Sequence, residues 1–171
     1  MSSRMLDKME QVTVTVTSPD GRLKAATRGD FLVEFAFHGK AGLDGYDADA
    51  LGHQIVAMLR AIAEGRRRAV REAYARAGKI LLDRDRPHWD ADRRRYRTAL
   101  GELSTSAHSS GEMIRIGIRG DRADFKIRID PGLVAAGDDR AFLVELHSAY
   151  AAAISRFRSN RSALLKEHLP D

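Results

Sequence analysis

The chain has 171 residues, a formal net charge of +5 and no cysteine. That length suits one ordinary domain or two small ones of roughly 80 residues, each with a modest core; the missing cysteine excludes disulfides and thiolate metal sites and fits a reducing compartment. No run of about 18 apolar residues occurs and the opening MSSRMLDKMEQ has no signal-peptide apolar core, so a cytoplasmic chain without a membrane span is expected.

Residues 1–10 are too few for a substantial helix. Val12, Val14 and Val16 then alternate with Thr13, Thr15 and Thr17, the pattern of a strand with one face turned inward. Ser18-Pro19-Asp20-Gly21 is a turn with proline at its second position, Leu23 to Thr27 is the return strand, and Phe31, Val33, Phe35 and Phe37 alternate strictly to complete a three-stranded meander. After a loop from His38 to Tyr46, a helix is predicted from about Ala48 to about Ala77, ending near Gly78. Its first half is amphipathic through Leu51, Ile55, Met58, Leu59 and Ile62; its second half carries so many arginines that only Ala69, Val70, Ala73 and Tyr74 are left to pack. Residues 79–88 read as a linker punctuated by Pro87. Trp89 to Leu103 reads as an arginine-rich helix with Trp89, Tyr96, Leu100 and Leu103 on or near one face. The polar stretch Ser104 to Ser110 stays open between a third, weak strand and a flexible connection.

From Gly111 to Arg158 the pattern is clearest. Met113, Ile114, Ile116 and Ile118 form one largely alternating run, and Ala123, Phe125, Ile127 and Ile129 alternate with Arg122, Asp124, Lys126 and Arg128. Arg119-Gly120-Asp121 supplies the tight turn between these strands, and Asp130-Pro131-Gly132 stops the ladder because proline has no N–H to donate. Asp138 or Asp139 can cap a helix whose apolar stripe is Phe142, Leu143, Leu146, Ala149, Tyr150, Ala153, Ile154 and Phe157. The end of that helix is open between Phe157 and about His168.

This unit occurs a second time in weaker form. Arg28-Gly29-Asp30 precedes the Phe31 to Phe37 strand as Arg119-Gly120-Asp121 precedes the Ala123 to Ile129 strand. Moving on by 91 positions, Asp47 falls on Asp138, Leu51 on Phe142, Ile55 on Leu146, Leu59 on Tyr150 and Ala63 on Ile154, with one residue of slip in the strand. The expected fold is therefore α+β, two repeats that are each a three-stranded antiparallel meander followed by a long helix. The first repeat covers 1–78, the linker 79–88, and the second repeat 89–171 with its own leading helix.

On these residues the chain resembles the YbaB/EbfC nucleoid-associated family of bacterial DNA-binding proteins. In the second half the resemblance rests on a polar leading helix, a strand pair ending in Ile129-Asp130-Pro131 with Gly132-Leu133, an acidic cap and an alanine-rich helix; in the first half it rests on VTVTVTSPDG. The resemblance implies a three-stranded antiparallel sheet with flanking helices and a dimer whose helices project like tweezers. Two copies in one chain imply a homodimer or an intrachain pseudo-dimer. The first copy departs from the family in lacking a long leading helix and in having Gly39 where Pro131 would sit.

The candidate binding residues are arginines on the outer halves of the helices: Arg60, Arg66, Arg67, Arg68, Arg71 and Arg76, then Arg93, Arg94, Arg95 and Arg97, then Arg156, Arg158 and Arg161. Guanidinium groups pair bidentately with phosphate oxygens, and a cluster of them displaces condensed counterions, so such a surface binds duplex DNA without sequence preference. No recognition helix, zinc finger or aromatic stacking surface accompanies them, so base readout is not expected. The six histidines form no HxH or HExxH spacing, and no nucleophile elbow or phosphate loop is present, so neither a metal, a cofactor nor an enzyme is expected. The competing reading is a dimerisation or adaptor module that does not touch DNA, as in relatives associated with type VII secretion. One continuous face holding Arg66, Arg67, Arg71, Arg94, Arg97 and Arg158 favours DNA; scattering, or pairing with Asp90, Asp92, Glu64 and Glu72, favours the adaptor.

Overall fold

Alternating β-branched and polar residues in the first half form β1 (Thr13–Thr17), β2 (Leu23–Arg28) and β3 (Leu32–Phe37), an antiparallel meander in that order. The long helix α1 (Ala48–Arg76) follows. A shorter helix, α2 (Ala91–Glu102), leads into a second meander of β4 (Ser104–His108), β5 (Ile114–Arg119) and β6 (Asp124–Ile129), and the chain closes with a five-residue helix α3 (Pro131–Ala135) and α4 (Asp139–His168). The computed structural model describes residues 13–28, 32–76, 90–120 and 124–169. Residues 1–10, Val12, the turn at Gly29 to Phe31, Ala77 and Gly78, the 79–88 linker, Trp89 and the turn residues Asp121 to Ala123 lie outside them. The fold class is α+β: two three-stranded antiparallel sheets, each followed by helices.

Local chemistry explains where the elements differ from expectation. Ser104 to His108 is a strand because Thr105 and Ala107 turn inward and are buried while Ser104 and His108 face out, and its register against β5 runs from Ser104↔Arg119 to His108↔Arg115. The leading helix begins at Ala91, later than Trp89, because the Asp90 carboxylate takes the Asp92 and Arg93 N–H groups at 2.8 and 3.2 Å. Asp130-Pro131-Gly132 ends the ladder and also starts α3: Asp130 accepts the Gly132 N–H at 2.7 Å, and proline in the first turn has no N–H left unsatisfied. The last helix runs on to His168.

Hydrogen bonds recur at an offset of 91 residues. Ser18 donates its N–H to the Leu23 carbonyl at 2.8 Å and accepts the Leu23 N–H on Oγ at 2.9 Å; Ser109 and Ile114 make the same two bonds at 2.8 and 3.0 Å. Gly21 N–H closes on the Ser18 carbonyl and Glu112 N–H on the Ser109 carbonyl, with both turn residues at positive φ, 76° and 60°. Gln54 on α1 accepts the Asp20 N–H, and Glu145 on α4 accepts the Gly111 N–H, each at 3.2 Å. Asp47 caps α1 through Ala50 N–H at 2.7 Å and Asp138 caps α4 through Ala141 N–H at 2.9 Å. Across the turn before the third strand the offset becomes 92, since Leu23 lies opposite Phe37 and Ile114 opposite Ile129.

The helices do not cover only the sheets that precede them. α1 packs on β1 and β2 but also on β6, and α4 packs on β4 and β5 but also on β3. Gly52 permits the first crossing, since a Cβ there would stand 3.2 Å from Ile127 and 4.0 Å from Ile129; further along, Gly65 lies against Val14. In the second crossing Phe35 meets Tyr150 edge-on at 5.9 Å and Phe37 meets Phe142 at 6.0 Å. One core results, with Leu23, Leu51, Ile55, Met58 and Leu59 from the first half joined to Ile114, Ile116, Ile118, Phe142 and Leu146 from the second.

Candidate functional site

The core-facing stripe of α1 is buried through Leu51, Ile55, Met58, Leu59 and Ile62, and past Ile62 the helix is at most half-buried. There the predicted arginines diverge. Arg66 on α1 and Arg158 on α4 are half-buried and lie close enough to sense one another, with Tyr150 between their fields and Arg161 adding to that at Arg158. Burial lowers the Arg66 guanidinium pKa, with Tyr150 opposing. The Arg158 guanidinium is lowered by burial and then by the charges of Arg66 and Arg161, again with Tyr150 opposing. Burial raises the Tyr150 hydroxyl against the pull of both arginines. Two helices from different halves of the chain thus bring these side chains within electrostatic range of each other at the margin of the core. Arg67 is half-buried, while Arg68, Arg71 and Arg161 are exposed on the same outer halves.

Other predicted residues are committed elsewhere. Arg60 bonds Asp124 at 2.6 Å, Arg76 lies 3.6 Å from Glu72, Arg93 lies 3.7 Å from Asp90, and Arg95 pairs with Asp92. Arg156 donates to the Ser106 carbonyl at 2.7 Å. Arg94 is exposed and Arg97 half-buried on α2, which packs against α4. Asp90, Asp92 and Glu72 thus pair with Arg93, Arg95 and Arg76, which are not among the arginines whose pairing favours the adaptor. These ion pairs are solvent-exposed and of the kind worth about 0–1 kcal/mol, so a phosphate can compete with them.

A second basic surface escaped the sequence reading. The outward residues of the second sheet that line one groove are Ser104, Ser106, Arg115, Gly117, Arg119, Asp124, Lys126 and Arg128, and the flank of α1 formed by Asp49, His53, Val56 and Arg60 runs beside them. Together they enclose an open groove of about 1080 Å³. Arg115 stands directly opposite Arg128 in the ladder, and Gly117 opposite Lys126. Arg115 donates to Ser106 Oγ at 2.8 Å, and among the described residues no carboxylate pairs with Arg115, Arg119, Lys126 or Arg128. The signal was present in the alternation of these cations with Ile114, Ile116, Ile118, Phe125, Ile127 and Ile129; what sequence could not show is that a helix from the first half walls the face.

No family profile, no curated protein and no solved structure matches the chain. Among the described residues no helix is long and apolar enough to cross a membrane, and no three His, Asp or Glu side chains converge as metal ligands.

At the far end of the first sheet, Tyr46 donates its hydroxyl to Asp20, and Arg22 lies 4.0 Å over the Tyr46 ring while donating to the Gly42 and Asp44 carbonyls at 2.9 and 2.5 Å. Burial, and then the bond to Asp20, push the Tyr46 hydroxyl up to about 12. For Asp20 burial works the other way, but hydrogen bonds from the Ser18 and Tyr46 hydroxyls outweigh it and hold the carboxyl below its usual value. This cluster ties the loop after β3 to the β1–β2 turn, and its chemistry is structural.

Proposed function

We propose that this protein is a nucleoid-associated protein that binds duplex DNA without sequence preference, using the arginine-rich outer halves of α1 and α4 on phosphates. The observation that carries the reading is that Arg68 and Arg71 on α1 and Arg161 on α4 stand exposed on the outer halves of two helices whose Arg66 and Arg158 lie within electrostatic range of each other. Exposed guanidinium groups on two adjoining helices attract phosphate oxygens and displace their condensed counterions. Arg67, Arg68 and Arg71 extend the same end of α1. The resemblance to the YbaB/EbfC family supports the same conclusion, and the crossed packing of α1 on β6 and α4 on β3 supports an intrachain pseudo-dimer. The function is binding, not catalysis.

A second reading, a dimerisation or adaptor module, is favoured by the exposed ion pairs of α2, which turn Arg93 and Arg95 toward Asp90 and Asp92. Fluorescence anisotropy on random duplex DNA of about 30 base pairs separates the two. In the DNA reading, log affinity falls linearly with log salt, with a slope of about −0.9 per phosphate contacted. Replacing the exposed Arg68, Arg71 and Arg161 together by glutamate then weakens binding at every sequence and flattens that slope. No binding at 50 mM salt, or a variant indistinguishable from the parent with unchanged circular dichroism, refutes the DNA reading and leaves the adaptor.

A further inference from the structure

The edge of β6 points to a peptide-binding site independent of the DNA reading. The Asp130 N–H donates to the Met113 carbonyl at 2.8 Å, which places Asp130, and by alternation Arg128, Lys126 and Asp124, with their backbone groups toward β5. The backbone N–H and C=O groups of Phe125, Ile127 and Ile129 therefore point the other way, to an edge that no described strand pairs with. These residues line the groove, and the α1 flank of Asp49, His53, Val56 and Arg60 runs alongside. Arg60 reaches from that flank to Asp124 and closes the groove at the start of β6.

We propose that this groove takes an extended acidic peptide, added to the second sheet as a fourth strand at the free edge of β6, alongside the exposed flank of α1. An edge strand beside a helix offers main-chain hydrogen bonds for affinity and alternate side-chain positions for selectivity. An added strand would place every second side chain on the outer face, next to Lys126 and Arg128, with Arg115 and Arg119 one strand further in. The others would point inward, toward Ile127, Ile129 and Val56. The sequence that fits alternates acidic with small apolar residues. A second copy of the same edge fits less well, because it would set Lys126 against Arg128 in one register and against itself in the next.

The test is anisotropy on the full chain with a fluorescein-labelled peptide of about eight residues alternating valine and glutamate, a typical strand length or slightly more. It is compared with a scrambled peptide of identical composition, a peptide N-methylated at the residues facing β6, and a peptide with lysine replacing glutamate. Binding of the alternating peptide is expected, weakened about tenfold or more by N-methylation, which removes several main-chain donors each worth threefold to tenfold. The surface variant Lys126→Glu with Arg128→Glu should lose the acidic peptide and gain the lysine peptide. Equal binding of the scrambled or N-methylated peptide reduces the effect to bulk charge and overturns the proposal, as does absence of binding at millimolar peptide. If sedimentation shows a dimer that the same variant dissociates, the edge belongs to a second copy. If the variant loses duplex DNA but keeps the peptide, the face belongs to nucleic acid. Either result refutes the peptide site.

Discussion

Replacing Phe142 by alanine tests whether the two halves fold as one unit. The side chain is fully buried on α4 and its ring lies 6.0 Å from Phe37, a residue of the other half's third strand. A buried Phe→Ala change costs about 3–5 kcal/mol, part transfer and part cavity. At roughly 2.1 cal/mol/K per residue, 171 residues unfold with an entropy near 0.36 kcal/mol/K, so the midpoint should fall by about 8–14 °C. Thermal and urea unfolding followed by circular dichroism and by tyrosine fluorescence should show one transition, displaced as a whole. A cycle of Phe37→Leu and Phe142→Leu should give a coupling of about 0.5–1.5 kcal/mol, the range for aromatic pairs beyond area burial. Two transitions of which only one moves, or a loss below about 1 kcal/mol, would refute the shared core.

Two glycines on helices should respond in opposite directions. Gly101→Ala on α2 meets open space and should stabilise by about 0.5–1 kcal/mol, whereas Gly65→Ala on α1 brings a Cβ to 2.8 Å from the Val14 methyl and should destabilise despite the better helix former, both read from urea midpoints. Asp47→Ala and Asp138→Ala each remove a cap bond and should each cost about 1 kcal/mol, additively because they lie on different helices. At alkaline pH the sign follows from Tyr46, whose folded pKa of about 12 stands above its ordinary 10.0. Its contribution is complete below pH 10 and is lost as the pH rises through about 12. Tyr150 is raised as well and acts in the same direction, so the discriminating measurement is the difference between the protein and Tyr46→Phe, which should shrink across that interval.

Much of the fold was legible because its signals are local. The inward set of β6 could be read from strict alternation and that of β5 from a largely alternating run, and the caps at Asp47 and Asp138 from acids standing at the start of apolar stripes. β4 stayed ambiguous because its buried side chains are only Thr105 and Ala107, too small and polar to mark a face. α3 was hidden because five residues show no period, although an Asp-Pro start signals a first turn. The arginines divided the site. Pairing of Asp90 with Arg93 and of Asp92 with Arg95 follows from a spacing of three on a helix and was readable. The electrostatic proximity of Arg66 and Arg158, and the wall that α1 raises beside β6, depend on packing between halves that no local pattern encodes.

Joining both halves in one polypeptide releases them from identity. In a dimer of identical subunits every substitution appears twice, so a charged face on one sheet is necessarily a charged face on the other. Here the hydrogen bonds of the two halves correspond while the outward side chains do not: Lys24, Ala26, Glu34 and Ala36 hold the places that Arg115, Gly117, Lys126 and Arg128 hold in the second sheet. At these places one sheet is cationic and its counterpart mixed. The molecule therefore presents two unlike sheet faces where a dimer of identical subunits would present two alike.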